Sequence, residues 1–260
     1  MTTIAAIALT TPDPARLIEF YRTALGFTVE ESAGQLRLGA QRVELIESSR
    51  SPASPTTGIT QAFQHFAMIA PDIDRAVTRL SRANGWSAIS TDGPVHLPRR
   101  SGGVTAFKFR DPDGHPLELL SFPPGEAPAP WGGAAGTELL GIDHTAIAVT
   151  DTARSVAFYE GLGFRAETGT LNTGAEQGRL DGLAAPVVEV TPLSCDGAPP
   201  HLELLCYRTP TLARAEVASD DPRATRTILR DAPGGQSGDL RDPDGHRLTI
   251  IRPERAARRS

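Results

Sequence analysis

Histidine and carboxylate side chains, which ligate divalent ions and transfer protons, occur in a sequence pattern that appears twice. The stretch Phe109–Leu119 reads FRDPDGHPLEL, and it returns as LRDPDGHRLTI at Leu240–Ile250. Upstream, an FY pair followed by LGF occurs at Phe20–Phe27 and again at Phe158–Phe164. The repeat predicts two related halves of roughly 130 residues. The two copies differ in the residues that could hold a metal, so the chemistry of the two halves should differ as well.

The composition is that of an ordinary globular protein of two domains. At 260 residues, with 39% hydrophobic and 22% charged residues, the chain can form two cores of usual size. A formal charge of -5 favours neither nucleic acid nor a membrane surface as a partner. The N-terminus has no signal-peptide pattern, and no apolar run is long enough to cross a bilayer. Cys195 and Cys206 are too few for a disulfide framework, so we expect a cytoplasmic location.

Each half divides into two units that read as a strand, a helix and several further strands. In the first half the units begin at the strands Ile4–Leu9 and Phe63–Ile69, each followed by a helix. In the second half they begin at Ile142–Val149 and near Ala213, the last with a weak helix around Ala224–Leu229. The predicted domains are residues 1–122 and 140–253, with a Pro/Gly/Ala linker at 123–139 and a solvated tail at 254–260.

The four units, the FY…LGF helix and the DPDGH hairpin resemble the vicinal oxygen chelate superfamily. That superfamily includes glyoxalase I, epimerases, extradiol dioxygenases and bleomycin-binding resistance proteins. The resemblance covers nearly the whole chain and implies an α+β fold. It predicts four βαβββ modules in two tandem glyoxalase-like domains that form curved, cup-shaped mixed sheets. The resemblance is less specific for function, because this fold carries several chemistries.

The resemblance also implies a metal site to which two units each contribute a His or Gln and a Glu. One ligand position lies on the first strand of a unit and one on its last, where alternate side chains face into the cup. Only the second and third units keep both ligands, which gives two nitrogen and two oxygen donors for a divalent ion: Ni, Co, Zn, Mn or Fe. Aligned on the repeat, the four pairs of positions are Ala6 with Glu44, His65 with Glu118, His144 with Glu203, and Ala213 with Thr249.

The location of the site depends on which units share a cup. In single-chain glyoxalases of four units, the resemblance implies that the two inner units pair with each other and the two outer units with each other. Under that arrangement the chain has one site with all four ligands and one site that keeps only Glu44 of the four. Pairing in sequence order would instead place Glu44, His65 and Glu118 in one cup and leave His144 with Glu203 in the other. We favour the inner pairing.

A metal held in this way would act as a Lewis acid that binds two adjacent substrate oxygens and acidifies the neighbouring C–H. Glu118 and Glu203 would then serve as general bases. We therefore expect a metal-dependent isomerase, epimerase or lyase that acts on a small α-hydroxy- or α-keto-carbonyl compound through a metal-bound enediolate, as a monomer or homodimer. One alternative is a metal-independent small-molecule (drug) binding or resistance protein, which an aromatic content of 5% weakens. Another is an Fe(II) extradiol-type dioxygenase, which a second Glu in the ligand set disfavours.

The remaining polar residues carry weaker signals. We expect substrate contacts from a basic cluster and from a polar loop of the third unit, namely from Arg99, Arg100, Lys108, Glu176 and Arg179. His115 and His246 occur in both halves, including the half with incomplete ligands, and are expected to be structural. No role is assigned to His96 or His201.

Overall fold

Seventeen strands form two mixed sheets in the described part of the chain. The structure is a computed structural model, and it describes residues 2–32, 34–50, 59–132, 138–196, 198–215, 218, 220–233 and 237–252. Strands alternate with a few short helices, as expected for an α+β protein with curved, cup-shaped sheets. None of the helices in the described ranges is long and apolar enough to span a membrane.

The first two modules follow the expected order of strand, helix and strands. The first contains β1 (Thr3–Thr11), α1 (Pro14–Leu25), β2 (Thr28–Val29), β3 (Gln35–Leu38) and β4 (Gln41–Glu47). The second contains β5 (Gln64–Ile69), α2 (Ile73–Leu80), β6 (Ser87–Ala88), β7 (Val95–His96), a 3-10 turn at Arg99–Ser101, β8 (Thr105–Arg110) and β9 (Pro116–Ser121).

The second half repeats this order with one insertion and one loss. The third module contains β10 (Ile142–Val149), α3 (Thr152–Gly161), β11 (Arg165–Ala166), β12 (Thr170–Thr173), an additional helix α4 (Ala175–Asp181), β13 (Val187–Ser194) and β14 (His201–Thr209). The fourth contains β15 (Thr225–Arg230), β16 (Gly238–Arg241) and β17 (Arg247–Ile251). Among its described residues the fourth module has no helix.

The fourth module corrects two expectations. The weak helix predicted around Ala224–Leu229 is wrong, because this segment is the strand β15. Three of its six residues, Thr225, Thr227 and Ile228, are β-branched, and such residues favour an extended strand over a helix. The first strand of the module is therefore β15 rather than a strand at Ala213, which lies in a segment without regular structure.

Strand pairing joins modules from opposite halves of the chain. In the ten-stranded sheet, here called the inner sheet, β5 lies antiparallel to β10, with Ala67 opposite His144 and His65 opposite Ala146. In the seven-stranded outer sheet, β1 lies antiparallel to β15. The second module thus pairs with the third and the first with the fourth. The expected inner pairing is confirmed, and pairing in sequence order is wrong.

The repeated motifs connect the modules in the other direction, within each half. In the first half the hydroxyl of Tyr21, from the FY motif, donates to Oδ2 of Asp111 in the DPDGH hairpin at 3.1 Å. In the second half Tyr159 donates to Asp242 at the same distance. The backbone N–H of His115 donates to Asp111, and that of His246 to Asp242, which closes each hairpin. The duplicated motif is therefore a docking contact between successive modules.

The main core lies where the helices of the first half pack against both sheets. Tyr21 of α1 lies in one apolar cluster with Leu9 of the outer sheet and with Phe66 and Met68 of the inner sheet. Because side chains alternate along a strand, packing of Phe66 and Met68 against the helices turns His65 to the opposite face of the inner sheet. That opposite face carries the candidate site.

Candidate functional site

The inner sheet curves around a cavity of about 690 Å³ between the second and third modules. Four residues expected to bind metal line this cavity, each from a different central strand: His65 from β5, Glu118 from β9, His144 from β10 and Glu203 from β14. The strands are adjacent, in the order β14, β10, β5, β9. Neighbouring strands thereby bring residues from both halves of the chain onto one concave surface.

Three of these side chains converge closely. Nε2 of His65 lies 2.7 Å from Oε2 of Glu118, and Nε2 of His144 lies 3.9 Å from the same oxygen. Each of the three residues offers a ligand atom within 4.8 Å of the others. Oε2 of Glu203 lies 3.7 Å from Nε2 of His144, on the other side of that ring. The spacing leaves Glu203 more open, with 19% of its side chain exposed against 7% for Glu118.

The donor set fits a divalent first-row ion. Nδ1 of the buried His65 ring has no hydrogen-bond partner among the described residues. Nε2 of the same ring faces Oε2 of Glu118 at 2.7 Å. Buried ring nitrogens without partners are rare in proteins, whereas imidazole and carboxylate donors that face one point suit a metal. His65, Glu118 and His144 could hold such an ion, with Glu203 as a fourth ligand.

A hydrogen-bonded pair behind His144 fixes the orientation of its ring. Nδ1 of His144 lies 3.0 Å from Oδ2 of Asp143, and the indole N–H of Trp131 donates to Oδ1 of the same carboxylate at 2.6 Å. The contact with Asp143 holds Nδ1 and leaves Nε2 to face the cavity. Metal-binding histidines are commonly oriented in this way, by a hydrogen bond from the ring nitrogen that does not bind the metal. The Trp131–Asp143 pair is therefore a supporting contact for the site.

Sequence reasoning did not identify Asp143 or Trp131. Consecutive residues of a regular strand face opposite sides, so Asp143 should point away from His144. A register irregularity between Ile142 and His144 in the β10–β5 pairing breaks that alternation. Trp131 belongs to the predicted linker, a segment that its Pro/Gly/Ala composition marks as a connector. An acidic residue next to a candidate ligand was the one signal available in the sequence.

His201, to which no role was assigned, also lies at the site. It stands opposite His144 in the β10–β14 pairing, and its Nε2 lies 3.4 Å from Oε1 of Glu203. Asp143, His144 and His201 form a second group that could contribute ligand atoms within 4.8 Å of one another. The available signal was the two-residue spacing from Glu203, which places both side chains on one face of a strand.

The electrostatics keep both glutamates ionised. Burial raises the pKa of Glu118, but Lys108, His65 and His144 outweigh burial and lower this pKa to about 2. Burial likewise raises the pKa of Glu203, yet His144 and His201 lower it to about 2. At neutral pH both side chains are therefore carboxylates, the form that binds a metal or accepts a proton.

The two histidines respond to their surroundings in opposite ways. Burial lowers the pKa of His65, and Glu118 opposes this only in part. Burial also disfavours the charged form of His144, but Glu203, Asp143 and Glu118 together raise the pKa of His144 to about 9. The concentration of carboxylates around His144 thus attracts positive charge, which is the field that a bound cation requires.

Lys108 lies on the same concave face, opposite Glu118 in the β8–β9 pairing. Its Nζ donates to Oδ1 of Asp181, on α4 of the other half, at 2.7 Å. Oδ2 of Asp181 accepts from Gln177 at 2.7 Å and from the hydroxyl of Tyr207 at 3.0 Å. Burial opposes the charged form of Lys108, but Asp181 and Glu118 raise its pKa. The ammonium is consequently charged and already hydrogen-bonded.

The other four expected substrate contacts are not among the residues that line the cavity. Arg99 forms an exposed ion pair with Glu126 at 2.9 Å. Arg100 donates to the carbonyl of Thr173 at 3.3 Å. Arg179 is exposed and Glu176 is half-buried, and neither lines the cavity. Of the five residues, the structure brings Lys108 alone to the cavity with the histidines and glutamates.

The outer sheet shows what stands at the equivalent positions. Ala6 and Glu44 occupy the positions expected for the first module. For the fourth module, Ala213 is not the counterpart of His65, because the counterpart must lie on β15 and the strand register assigns Arg226. Arg226 lies 3.5 Å from Asp239, to which the hydroxyl of Thr249 donates at 2.6 Å. A guanidinium thus stands where the inner sheet carries an imidazole.

Comparison with known proteins agrees with this architecture. The family model of the Glyoxalase/Bleomycin resistance protein/Dioxygenase superfamily matches residues 3–119 and again residues 141–250. This chain belongs to that superfamily. Glyoxalase I from Zea mays is a superfamily member of similar structure, with a TM-score of 0.62 and 18% identity over 97% of this chain and 92% of the maize chain. At that identity the likeness concerns the fold alone.

A curated sequence relative covers one half of the protein. The virulence protein STM3117 of Salmonella typhimurium is 30% identical over 123 residues, which span 45% of this chain and 81% of that protein. The match thus covers less than half of the present chain but most of the relative, in agreement with a duplicated unit.

Proposed function

We propose that this protein is a metal-dependent isomerase, epimerase or lyase of the glyoxalase type, acting on an α-hydroxy- or α-keto-carbonyl compound. The observation that carries the proposal is the convergence of three buried side chains, His65, Glu118 and His144, on one side of the cavity, with Nδ1 of His65 lacking a partner among the described residues. Glu203 stands next to them with its carboxylate partly open. These four side chains supply both ligands and bases to one small space.

The residues divide into holding and proton-transferring roles. His65, Glu118 and His144 would hold a divalent ion, whose chemistry is to polarise a substrate carbonyl and acidify the adjacent C–H. Glu203 is the better placed general base, because it lies at the edge of the group and its carboxylate is the more exposed. In this role a Glu203 oxygen accepts the proton from the substrate carbon and returns it to the same or the neighbouring carbon.

Glu118 is the second candidate base, and its surroundings favour ligation. Its Oε2 faces both His65 and His144, and Lys108 stabilises its ionised form. Proton transfer from two opposite sides would give epimerisation, whereas one base acting on two adjacent carbons would give isomerisation. A Glu118→Gln variant that keeps its ion but loses only one of these reactions would identify two-sided transfer.

The experiment that tests the proposal is titration of the metal-free protein with Co²⁺, followed by visible absorption. Wild-type protein should bind about one ion per chain, and His65→Ala and His144→Ala should each lose it. The matched control is Glu44→Gln, which alters the ligand position retained in the outer sheet and should leave binding unchanged. If His144→Ala kept the ion, a site shared by both halves would be wrong. If the wild type bound none, the alternative of a metal-independent binding protein would replace this proposal.

One observation favours a second candidate, an Fe(II) extradiol-type dioxygenase. The tight group contains two histidines and one carboxylate, while Glu203 makes a separate contact with His201. Two His and one carboxylate with open positions are the ligand set of such oxygenases. The discriminating measurement is O₂ uptake by the Fe²⁺-loaded protein with catechol. Uptake that survives in Glu203→Gln would favour the dioxygenase, and no uptake would favour the isomerase, epimerase or lyase.

A further inference from the structure

We infer that the substrate carries its two adjacent oxygens on an uncharged, largely apolar body, aromatic or bulky aliphatic, rather than on an anionic one. This inference rests on the proposed function, since it places the oxygens at the candidate metal ligands. It concerns the rest of the molecule that fills the cavity. Three observations carry it: the apolar wall of the cavity, the charge balance of the interior and the size of the space.

One wall of the cavity is a continuous apolar surface. Six of its residues belong to a single hydrophobic cluster: Leu97, Val104, Leu120, Phe122, Trp131 and Leu180. They come from the second module, from the segment between the halves and from α4 of the third module. A surface assembled from three separate parts of the chain, and open to the cavity, is suited to an apolar ligand group.

Hydrogen bonds between the halves hold the contribution of α4 in place. The hydroxyl of Ser90 donates to the carbonyl of Leu180 at 2.9 Å, and the backbone N–H of Thr91 donates to the carbonyl of Arg179 at 2.8 Å. Lys108 and Asp181 add a buried ion pair across the same contact. Because α4 is docked on the second module in this way, Leu180 presents a defined surface to the cavity.

The described interior of the cavity offers an anionic substrate group no buried ammonium or guanidinium that lacks a carboxylate partner. Among the described residues lining the cavity, two are basic apart from histidine, Lys108 and Arg165. Asp181 already accepts a hydrogen bond from Lys108, and Arg165 is exposed on β11, two residues before the exposed Glu167. Three buried or half-buried carboxylates line the cavity and would face one divalent ion: Glu118, Asp143 and Glu203. A carboxylate or phosphate on the substrate body would be repelled.

The cavity is also larger than a small aldehyde or ketose fragment requires. Its volume of about 690 Å³ lies in the range of sites for drug-sized ligands. The four candidate ligands are a small part of the lining, so the other lining residues contact whatever the two oxygens are attached to. Size and lining together select for a ring or branched chain that buries apolar surface.

The test compares three hydroxamates, which chelate a metal through two oxygens and differ in the attached body. Co²⁺-loaded wild-type protein is titrated with acetohydroxamate, benzohydroxamate and para-carboxybenzohydroxamate, and binding is followed by visible absorption. Benzohydroxamate should bind about tenfold or more tightly than acetohydroxamate, because its ring is buried on the apolar wall. The added carboxylate should weaken binding again by about tenfold. Equal affinity for all three, or tightest binding of the carboxylate, would overturn the inference.

Failure of the inference is distinguishable from failure of the proposed function. If none of the three probes perturbs the Co²⁺ spectrum, the site does not present an ion to paired oxygens, and the proposed function fails with it. If all three bind but rank differently, the metal site stands and the apolar substrate is wrong. The wild-type series gives this result without any variant.

A pair of variants tests whether the preference for benzohydroxamate depends on the apolar wall of the cavity. Phe122→Gln places a polar group on the half-exposed edge of the apolar surface and should reduce the preference for benzohydroxamate over acetohydroxamate several-fold. The matched control is Leu171→Gln, because Leu171 is 56% exposed on β12 and does not line the cavity. That control should retain the wild-type preference. An unchanged preference in Phe122→Gln would remove this residue from the proposed contact surface.

Discussion

The inner and outer sheets are built from the same kinds of module, yet among the described residues only the inner sheet has a candidate metal site. Where the inner sheet places His65 and His144, the outer sheet places Arg226 and Ala6. Where the inner sheet has Glu118, the outer sheet has Thr249, a residue that cannot donate a carboxylate. The two sheets show that strand pairing does not require the ligands, so residues kept in the inner sheet need an explanation beyond folding.

The outer sheet also differs in what fills its concave face. Ala6, Ala8 and Ile228 form a buried apolar cluster there, extended by Ile46 and Ile251. Arg226 adds a fixed positive charge, tied to Asp239. Small apolar residues and a paired guanidinium offer few donors to a cation there, whereas the inner sheet gathers carboxylates around His144. The same module architecture therefore supports a concave face rich in carboxylates in one sheet and an apolar face with a guanidinium in the other.

The largest effect is expected when the outer-sheet residue Arg226 is copied to the equivalent position in the inner sheet, His65. His65→Arg should abolish Co²⁺ binding, because it removes a donor and adds a positive charge beside the ion position. The measurement is Co²⁺ titration, with circular dichroism to establish that the variant is folded. The matched control is Arg226→His, which should leave the inner ion unaffected. Retention of the ion in His65→Arg would show that His65 is not a ligand.

A second change tests the support behind His144. Asp143→Asn should weaken Co²⁺ binding about 10–100-fold, since the outer partner of a ligating histidine sets its tautomer and orientation. Asp239→Asn makes the same change in the outer sheet, beside Arg226 and Thr249, and should not alter the affinity. Equal losses in both variants would indicate a general destabilisation instead of a role for Asp143 at the site.

A third pair of variants tests the Tyr–Asp contact, which is the same in both halves. Tyr21→Phe and Tyr159→Phe each remove a buried hydroxyl that donates to an aspartate at 3.1 Å. Each should lower the free energy of unfolding by about 1 kcal/mol, with Co²⁺ affinity unchanged. Chemical denaturation measures the first quantity and metal titration the second. A loss of metal binding in either variant would contradict a purely structural role for the motif.

The smallest expected effect concerns the hairpin of the first half. Burial alone would lower the pKa of His115, but Asp111, 2.9 Å away, outweighs burial and raises it above 6.5. A raised folded-state pKa means that protonation stabilises the fold fully below pH 6.5 and that this contribution is lost as pH rises through the folded-state value. In His115→Gln the thermal midpoint should therefore vary less with pH across neutrality. An unchanged pH dependence would mean that another group causes it.

Much of the architecture follows from the repeat alone. The two copies of FY…LGF and DPDGH predict four modules, and the structure explains why these residues recur: each pair forms a Tyr–Asp contact between successive modules. The resemblance implied the ligand positions, and alignment of the repeats assigned them to His65, Glu118, His144 and Glu203. Their roles, and the domain bounds 1–122 and 140–253, stay predictions.

The missed features share a physical cause, which is departure from the regular pattern. Asp143 reaches the site through a register irregularity, and Trp131 through a connector whose composition indicates no contact. β15 was mistaken for a helix because the described part of the fourth module lacks the helix that its repeat predicts. Local sequence patterns describe regular elements well, and the supporting residues of this site lie where the pattern is interrupted.

The exchange of strands between halves has a consequence for how the two cups could diverge. Two separate copies of one half, associated as a symmetric dimer, would form two identical cups, because every substitution would appear in both. When the copies are joined in a single polypeptide, each cup is encoded by its own part of the gene. A substitution can then change one cup and leave the other as it was. The loss of ligands from one cup and their retention in the other is a state open only to the fused chain.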